Sequence, residues 1–142
     1  MNAIAEALIK RHEGTGPMRA GQFMPYVGAR NGNINIGWGY NLSANGLPPE
    51  IAEELFQIKL AQATKICAEV FPGFAYFSEG RRAALLDMTY DLQDKIRDFH
   101  DMRTAIEAED WPEAAHQCLN SDFGRELPER AKDDAALLEN GS

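Results

Sequence analysis

The stretch RHEGTGPMRAGQFMPYVGARNGNINIGWGYNL, residues 11–42, decides the fold, because a helical pattern gives way to a strand pattern within it. It contains one carboxylate, Glu13, and the next acidic residue along the chain is Glu50. The chain as a whole is acidic, with 22 Asp and Glu against 14 Lys and Arg. A long stretch without other acids therefore marks Glu13 as a candidate functional group.

The residues around Glu13 predict a short helix, 2–13, whose apolar residues recur at helical spacing. Asn2 can cap the start of this helix, and Gly14 stops it. Glu13 then lies at the C-terminal end, where the helix dipole disfavours a negative charge and favours the protonated form. A purely structural carboxylate would more naturally lie at the other end of the helix.

Residues 15–48 are rich in Gly, Asn and Pro, and they predict a small β-hairpin or three-stranded sheet within 24–40. Apolar and polar or small residues alternate in NGNINIGWGYNL, which is a strand pattern. The preceding ARNG is a turn signal, with Gly32 at a position that can take a positive φ. Gly37 and Gly39 would weaken a strand, unless another backbone or a ligand must come close there.

From Pro49 to the end the pattern is helical, so we predict an α+β fold, mainly α, in one domain of 142 residues. The first long helix ends at FPGF, and Ser78 caps the next one. We expect Cys67 and Cys118 to be reduced core residues, because each lies within an apolar helical pattern. The expected core positions are Leu85, Leu86, Met88, Met102, Ile106, Trp111, Ala114, Ala115 and Leu119.

Composition narrows the function classes. No apolar run approaches the roughly 20 residues that span a bilayer, and the N-terminus lacks the features of a signal peptide, so we expect synthesis in the cytoplasm. The net charge of −8, with scattered Lys and Arg, argues against nucleic acid as a partner. Because His12, His100 and His116 form no ligand pair and the cysteines lack zinc-site spacing, we predict no metal and no cofactor.

Several segments of the chain, in order over nearly its whole length, resemble the phage-type (T-even) lysozymes, glycoside hydrolase family 24. They are LIKRHEG, PYVGARNGNINIGWGYNL, FPGF, RRAALLDMTYDL, MRTAIEAEDWPEAAHQCLNSDF and PERA. The family motif is a Glu closing the first helix, then Asp or Cys, then Thr, then IGYG. The resemblance implies a lysozyme-like fold, with a β-rich lobe, about 15–48, beside a helical lobe, about 49–142 plus helix 2–13, and an active cleft between them.

The resemblance also implies a muramidase, which hydrolyses the β-1,4 bond between N-acetylmuramic acid and N-acetylglucosamine in bacterial peptidoglycan. A protonated Glu donates its proton to the leaving oxygen, and a carboxylate on the opposite side positions or activates water. Glu13 matches that acid. The implied protein is a phage endolysin, which we expect to be a monomer, made in the host cytoplasm and acting on the cell wall after membrane passage by a holin or a similar route.

The chain departs from the family motif in three places. The segment between Glu13 and the Thr position is longer, with the insertion near residues 15–23. The Asp or Cys position falls at Gly28 or Ala29, and neither side chain can carry out acid–base chemistry. Asn35 replaces the Thr, and its amide can hold a water molecule but cannot act as a base.

Other candidate site residues follow from the resemblance. Asp91, in TYDL, stands where the family carries an amide facing the sugar groove, and it is a candidate for the displaced second carboxylate. Alternatively, Asp91 is solvated or pairs with a nearby Arg. Arg130, in PERA, matches an Arg that pairs with the catalytic Glu, or is an ordinary surface residue. We expect Trp38 in the core, and the further candidate substrate-binding residues are Tyr26, Asn33 and Tyr40.

Three hypotheses of different classes stay open: an active muramidase, a lysozyme-fold module that binds glycan without cutting it, and a fold reused as a structural or interaction protein. The acidic charge favours the second and third, because an enzyme that degrades the wall gains from a positive surface. The retained Glu13 and the acid-free stretch after it favour the first. A hairpin rich in Gly and Asn is, however, poor in acids for any function.

Overall fold

The computed structural model describes residues 2–30 and 32–142 and has an α+β architecture that is mainly α, as the sequence predicts. The chain divides into two units, Met1–Ala52 and Glu53–Ser142. The first helix lies in the first unit together with the strands, whereas the resemblance predicts it as part of the helical lobe. Among the described residues, no helix is both long and apolar enough to cross a bilayer.

The described part of the first unit begins with α1 (Ala3–Glu13). Asn2 caps this helix, since its side-chain oxygen accepts a hydrogen bond from the Ala5 N–H at 3.0 Å. Gly14, with φ 67°, ends it and donates its own N–H to the Lys10 carbonyl. The elements that follow are β1 (Met18–Arg19), β2 (Gln22–Phe23), β3 (Tyr26–Val27), β4 (Ile34–Ile36), β5 (Tyr40–Asn41) and α2 (Leu42–Asn45).

The strands form two antiparallel sheets, and β3, β4 and β5 make the three-stranded sheet that the sequence predicts. Its turn contains Gly32 at φ 69°, while Asn31, also part of that predicted turn, lies outside the described residues. The hairpin of β1 and β2 was not predicted, and it occupies the expected insertion near 15–23. Ala20 and Gly21 both take positive φ at its tip. Turn patterns expect Gly, Asn or Asp at such positions, so the alanine gave no turn signal.

The second unit is helical. The helix α3 (Pro49–Val70) begins in the first unit and ends directly before FPGF, as predicted. Ser78 caps the following helix by accepting a hydrogen bond from the Arg81 N–H at 3.3 Å. The remaining helices are α4 (Glu79–Leu92), α5 (His100–Glu107), α6 (Trp111–Leu119), α7 (Asp122–Glu126) and α8 (Pro128–Asn140), with short 3₁₀ turns at Phe74–Tyr76 and Gln93–Asp98.

The hydrophobic core of the second unit contains most of the predicted positions. Leu86 is partly buried at its edge. The prediction for Leu119 is wrong, because 44% of this residue is exposed. It lies at the end of α6, on the edge of the apolar stripe that faces the core. The confirmed core positions are Leu85, Met88, Met102, Ile106, Trp111, Ala114 and Ala115.

Both cysteines are buried in this core as free thiols, which confirms the prediction. Burial raises the pKa of Cys67 to about 11 and the pKa of Cys118 to about 12. The reactive thiolate form is therefore rare at neutral pH.

A polar cluster joins α4 to α8. Arg130 Nε donates to Asp87 Oδ2 at 2.6 Å, and Arg130 Nη1 lies 3.5 Å from Asp91 Oδ1. Asp134, one turn further along α8, is 3% exposed. Burial, together with the negative charge of Asp87 beside it, raises the pKa of Asp134 to about 8. A neutral carboxylic acid is thus part of the helix packing at neutral pH.

We expect Asp134→Asn to make the protein more resistant to unfolding as pH rises. In the unfolded chain an Asp ionises near pH 4, but in the folded chain Asp134 ionises near pH 8, so its contribution to stability is lost across that window. Asn stays neutral throughout. The gain of the variant over the parent should therefore grow from pH 5 to pH 8, by at most about 1.4 kcal/mol per pH unit, in urea unfolding.

The exposed neighbour Asp133 offers a matched control. Asp133→Asn removes one carboxylate from the same helix, and the charge of Asp133 is the smallest of the influences that raise the pKa of Asp134. The difference of this variant from the parent should therefore change with pH much less than that of Asp134→Asn. Equal pH dependence in the two variants would contradict the burial of an unionised Asp134.

Candidate active site

Glu13 is the last residue of α1, as predicted, and its side chain is exposed. The helix ends there because Gly14 takes a positive φ, which glycine adopts without strain. Within the described part of the first unit, no group forms a hydrogen bond or an ion pair with the Glu13 carboxylate. The carboxylate is therefore available within this unit to a ligand.

The Glu13 carboxylate rests against the backbone of Gly39. A Cβ atom built on Gly39 would lie 2.5 Å from Glu13 Oε2 and 3.1 Å from Glu13 Cδ. Gly39 also has φ 73°, which disfavours any other residue. The sequence left open a close approach of another backbone or a ligand at Gly37 and Gly39, and the group that approaches Gly39 is instead the side chain of Glu13.

The backbone that the Glu13 carboxylate contacts belongs to a three-residue turn, 37–39, which we call the seat of Glu13. The Gly39 N–H donates to the Gly37 carbonyl at 2.8 Å, which closes the chain around Trp38. The Tyr26 hydroxyl donates to the same Gly37 carbonyl at 3.2 Å. The Tyr26 ring packs directly on Gly16, where a Cβ atom would overlap it. Tyr26 thus links the turn to the segment that follows Glu13. The contact of Tyr26 with a sugar stays a prediction.

Asn35 lies in the middle of β4, between Tyr26 on β3 and Asn41 on β5. Residues paired across antiparallel strands share one face of the sheet, so these three side chains lie on the same face. The Asn35 Oδ1 atom is buried, and no described residue donates a hydrogen bond to it. Since a buried polar atom normally has a partner, this oxygen is a candidate acceptor for a water molecule or a ligand hydroxyl.

Trp38 corrects the prediction that it belongs to the core, because it is 43% exposed. A residue at the centre of a three-residue turn projects outward. The Trp38 ring therefore contacts two neighbouring side chains and is not packed in a core. Lys10 Nζ lies 4.8 Å from its ring centroid, and the Phe23 ring centroid is 5.0 Å away. Part of the indole therefore remains accessible close to the seat of Glu13.

The other predicted residues of the first unit have clear local roles. The Tyr40 hydroxyl donates to the Gly46 carbonyl at 2.5 Å, which ties β5 to the end of α2. Asn33 accepts the Gly28 N–H at 2.7 Å through its backbone carbonyl, in the loop from β3 to β4. Gly28 and Ala29 occupy that loop, so the position at which the family carries Asp or Cys presents no acid there.

Asp91 and Arg130 are brought together in the second unit. The Arg130 guanidinium donates two hydrogen bonds to the Asp87 carboxylate, at 2.6 and 2.9 Å, and it also lies beside Asp91. Hydrogen bonding to Asp87 raises the pKa of Arg130 above its ordinary value. This arrangement is the pairing with a nearby Arg that the alternative interpretation of Asp91 describes. The pairing of Arg130 with Glu13 stays a prediction.

Sequence reasoning missed the contacts of Gly16 with Tyr26 and the exposure of Trp38. The glycine spacing was a usable signal for Gly39, but nothing in the sequence singled out Gly16 from the other glycines. Among the described residues, no group of three His, Cys, Asp or Glu side chains gathers in a way that could hold a metal ion.

Comparison with protein-family models gives no match, and comparison with curated protein sequences gives none either. The motifs of the chain and the geometry around Glu13 are therefore the features that bear on function.

We expect Gly39→Ala and Gly21→Ala to lower the free energy of unfolding by similar amounts, about 1–2 kcal/mol each. Both substitutions place a Cβ atom at positive φ, 73° and 77°, but Gly21 has no atom within 4 Å of that position. The Glu13 side chain is flexible and can swing away from a new Cβ atom at little cost. Urea unfolding checks this, and a much larger loss for Gly39→Ala would mean that the carboxylate is clamped in place.

Proposed function

We propose that this protein is a peptidoglycan muramidase with a lysozyme-like fold, and that Glu13 is its general acid. The proposal extends to a phage endolysin that acts on the bacterial cell wall as a monomer, after a holin or a similar route carries it from the host cytoplasm across the membrane. It is supported most by the single carboxylate of the stretch 11–42, which lies unpaired within its unit against the backbone of Gly39.

The chemistry assigns a role to each group around Glu13. The protonated carboxyl group donates to the glycosidic oxygen as the bond to C1 breaks. The unpartnered Oδ1 of Asn35 accepts a hydrogen bond from the attacking hydroxyl group, which in a muramidase is water. Tyr26 and Tyr40 are proposed to contact the sugar with their rings, since aromatic faces bind sugars while both hydroxyl groups hold the backbone.

The proposal assigns the remaining predicted residues to the substrate as well. Asn33 and Arg130 are proposed to bind it, and Asp91 is proposed to favour the positively charged transition state. A carboxylate held beside Arg130 is fixed in position, which is the property that such a role requires.

Glu13→Gln should fold like the parent and lose roughly 10²- to 10⁴-fold in the rate at which purified peptidoglycan loses turbidity. Gln keeps the size and the hydrogen-bonding ability of Glu but cannot donate an acidic proton. Glu6→Gln is the control on the same helix, because Glu6 forms only an exposed pair with Lys10, and it should keep nearly full activity. Activity of Glu13→Gln within a few fold of the parent would remove Glu13 from the mechanism.

Gly39→Ala should lose about 10- to 100-fold more activity than Gly21→Ala, although both cost similar stability. The new Cβ atom displaces the Glu13 carboxylate, and a misplacement of about 1 Å can cost that much in rate. Equal activity in the two variants would show that the seat on Gly39 does not position the acid.

A glycan-binding module is the second candidate, because Gly28 and Ala29 offer no second acid in the first unit. Sedimentation with insoluble peptidoglycan separates the two. If the parent and Glu13→Gln bind equally and neither releases soluble fragments, the muramidase is ruled out and the binding module stands.

A further inference from the structure

Resting on the proposed function, we propose that the glycosidic bond is broken by internal transfer rather than by hydrolysis. The attacking group is then the C6 hydroxyl of the N-acetylmuramic acid unit itself, and the product ends in a 1,6-anhydro sugar. Glu13 serves this reaction alone, first as the acid and then as the base.

The supply of carboxylates in the first unit carries this inference. Between Glu6 and Glu50 the chain has one acidic residue, Glu13. The loop where a second acid would stand is built from Gly28 and Ala29, and the Gly28 backbone is occupied by hydrogen bonds to the far end of the same loop. Both familiar routes of glycoside hydrolysis need a second carboxylate, as a base for water or as a nucleophile.

Asn35 cannot replace that second carboxylate. An amide oxygen accepts a hydrogen bond, but it does not take up a proton at neutral pH. Its buried Oδ1 atom, with no donor among the described residues, is suited to hold a sugar hydroxyl or amide N–H in place. Asn35 is therefore a positioning residue in this reaction, and the proton must go elsewhere.

Internal transfer returns the proton to Glu13. The protonated Glu13 gives its proton to the glycosidic oxygen, and the bond from that oxygen to C1 breaks with its electron pair on the oxygen. The Glu13 carboxylate then takes the proton from the C6 hydroxyl, whose oxygen bonds to C1. One proton has moved from one sugar oxygen to the other, no water is consumed, and Glu13 is protonated again for the next cycle.

The stereochemistry of the substrate fits a single carboxylate. In a β-linked hexopyranose the leaving oxygen on C1 and the hydroxymethyl group on C5 lie on the same face of the ring. A carboxyl group that protonates the leaving oxygen is thus on the correct side to accept the proton of the C6 hydroxyl. A water molecule attacking from the opposite face would need a base on that face.

Asp91 has no chemical step in this route. Its Oδ1 lies 3.5 Å from Arg130 Nη1, within a pairing that also includes Asp87. The cluster joins α4 to α8, and it accounts for an acidic residue at this position without a proton-transfer role.

The test is to digest purified peptidoglycan in heavy-oxygen water and to analyse the soluble fragments by mass spectrometry, with and without borohydride reduction. Internal transfer gives fragments that are lighter by one water, contain no heavy oxygen and resist reduction. Glu13→Gln should release at least about 100-fold less of these fragments, and Glu6→Gln should release them like the parent. This pair shows that the product comes from the protein itself.

Fragments with reducible ends that carry heavy oxygen would overturn internal transfer and leave the muramidase standing. In that case, loss of the labelled product in Asp91→Asn would identify Asp91 as the missing base. If the parent releases no fragments, the proposed function fails and the inference fails with it. The three outcomes are distinct, because each leaves a different product or none.

Discussion

The positive φ of Gly39, at the turn against which the Glu13 carboxylate lies, is the constraint on which the local geometry of the first unit depends. A carboxylate in this position requires glycine at the turn and a chain reversal that presents the backbone to the end of α1. It also requires α1 to stop at Glu13, which Gly14 ensures. The Tyr26 hydroxyl on the Gly37 carbonyl then keeps the turn in place. The strands are too short to hold this geometry by themselves, so these few contacts do it.

The second unit contains a cluster of acidic side chains between α4 and α8 with one basic partner. Arg130 balances two acidic side chains from α4, and Asp134 adds a third acid in a buried place. Arg130, Asp87 and Asp91 are partly exposed and are screened by water, but Asp134 is buried, where an ionised carboxylate beside Asp87 would be costly. The unit resolves this by keeping Asp134 neutral, at the expense of sensitivity to alkaline conditions. The unpaired Asp134 Oδ2 atom is consistent with a carboxylic acid rather than a fully solvated anion.

Sequence reasoning worked best where a local rule fixed the outcome. Asn2 and Ser78 cap their helices because each side chain accepts a hydrogen bond from a nearby backbone N–H, and Gly14 ends α1 because glycine takes a positive φ without strain. All three were predictable. Most of the core of the second unit followed from spacing, with Leu119 as the wrong prediction. The β1–β2 hairpin was missed because Ala20 takes a conformation that alanine rarely adopts. Trp38 was misplaced because hydrophobicity does not reveal that a residue sits at the centre of a turn.

The acidic residue of the candidate site could be predicted from the sequence, but the residues that contact it could not. Glu13 stood out because acids are missing from the residues after it. The glycines after β4 left a close approach of a backbone or a ligand open, but they did not indicate that the side chain of Glu13 lies there. The contact of Tyr26 with Gly16 joins residues from separate segments, and only the fold brings them together. The unpartnered oxygen of Asn35 depends in the same way on the strands to either side of it.

The buried thiols of Cys67 and Cys118 have a practical consequence for spectroscopy. Both lie in the second unit, so the first unit has no cysteine of its own. A cysteine introduced at an exposed position of the first unit, such as Ala29, would be labelled by a maleimide dye far faster than either native thiol. A fluorophore on the strand-bearing unit can therefore be attached to the folded protein without first removing the natural cysteines.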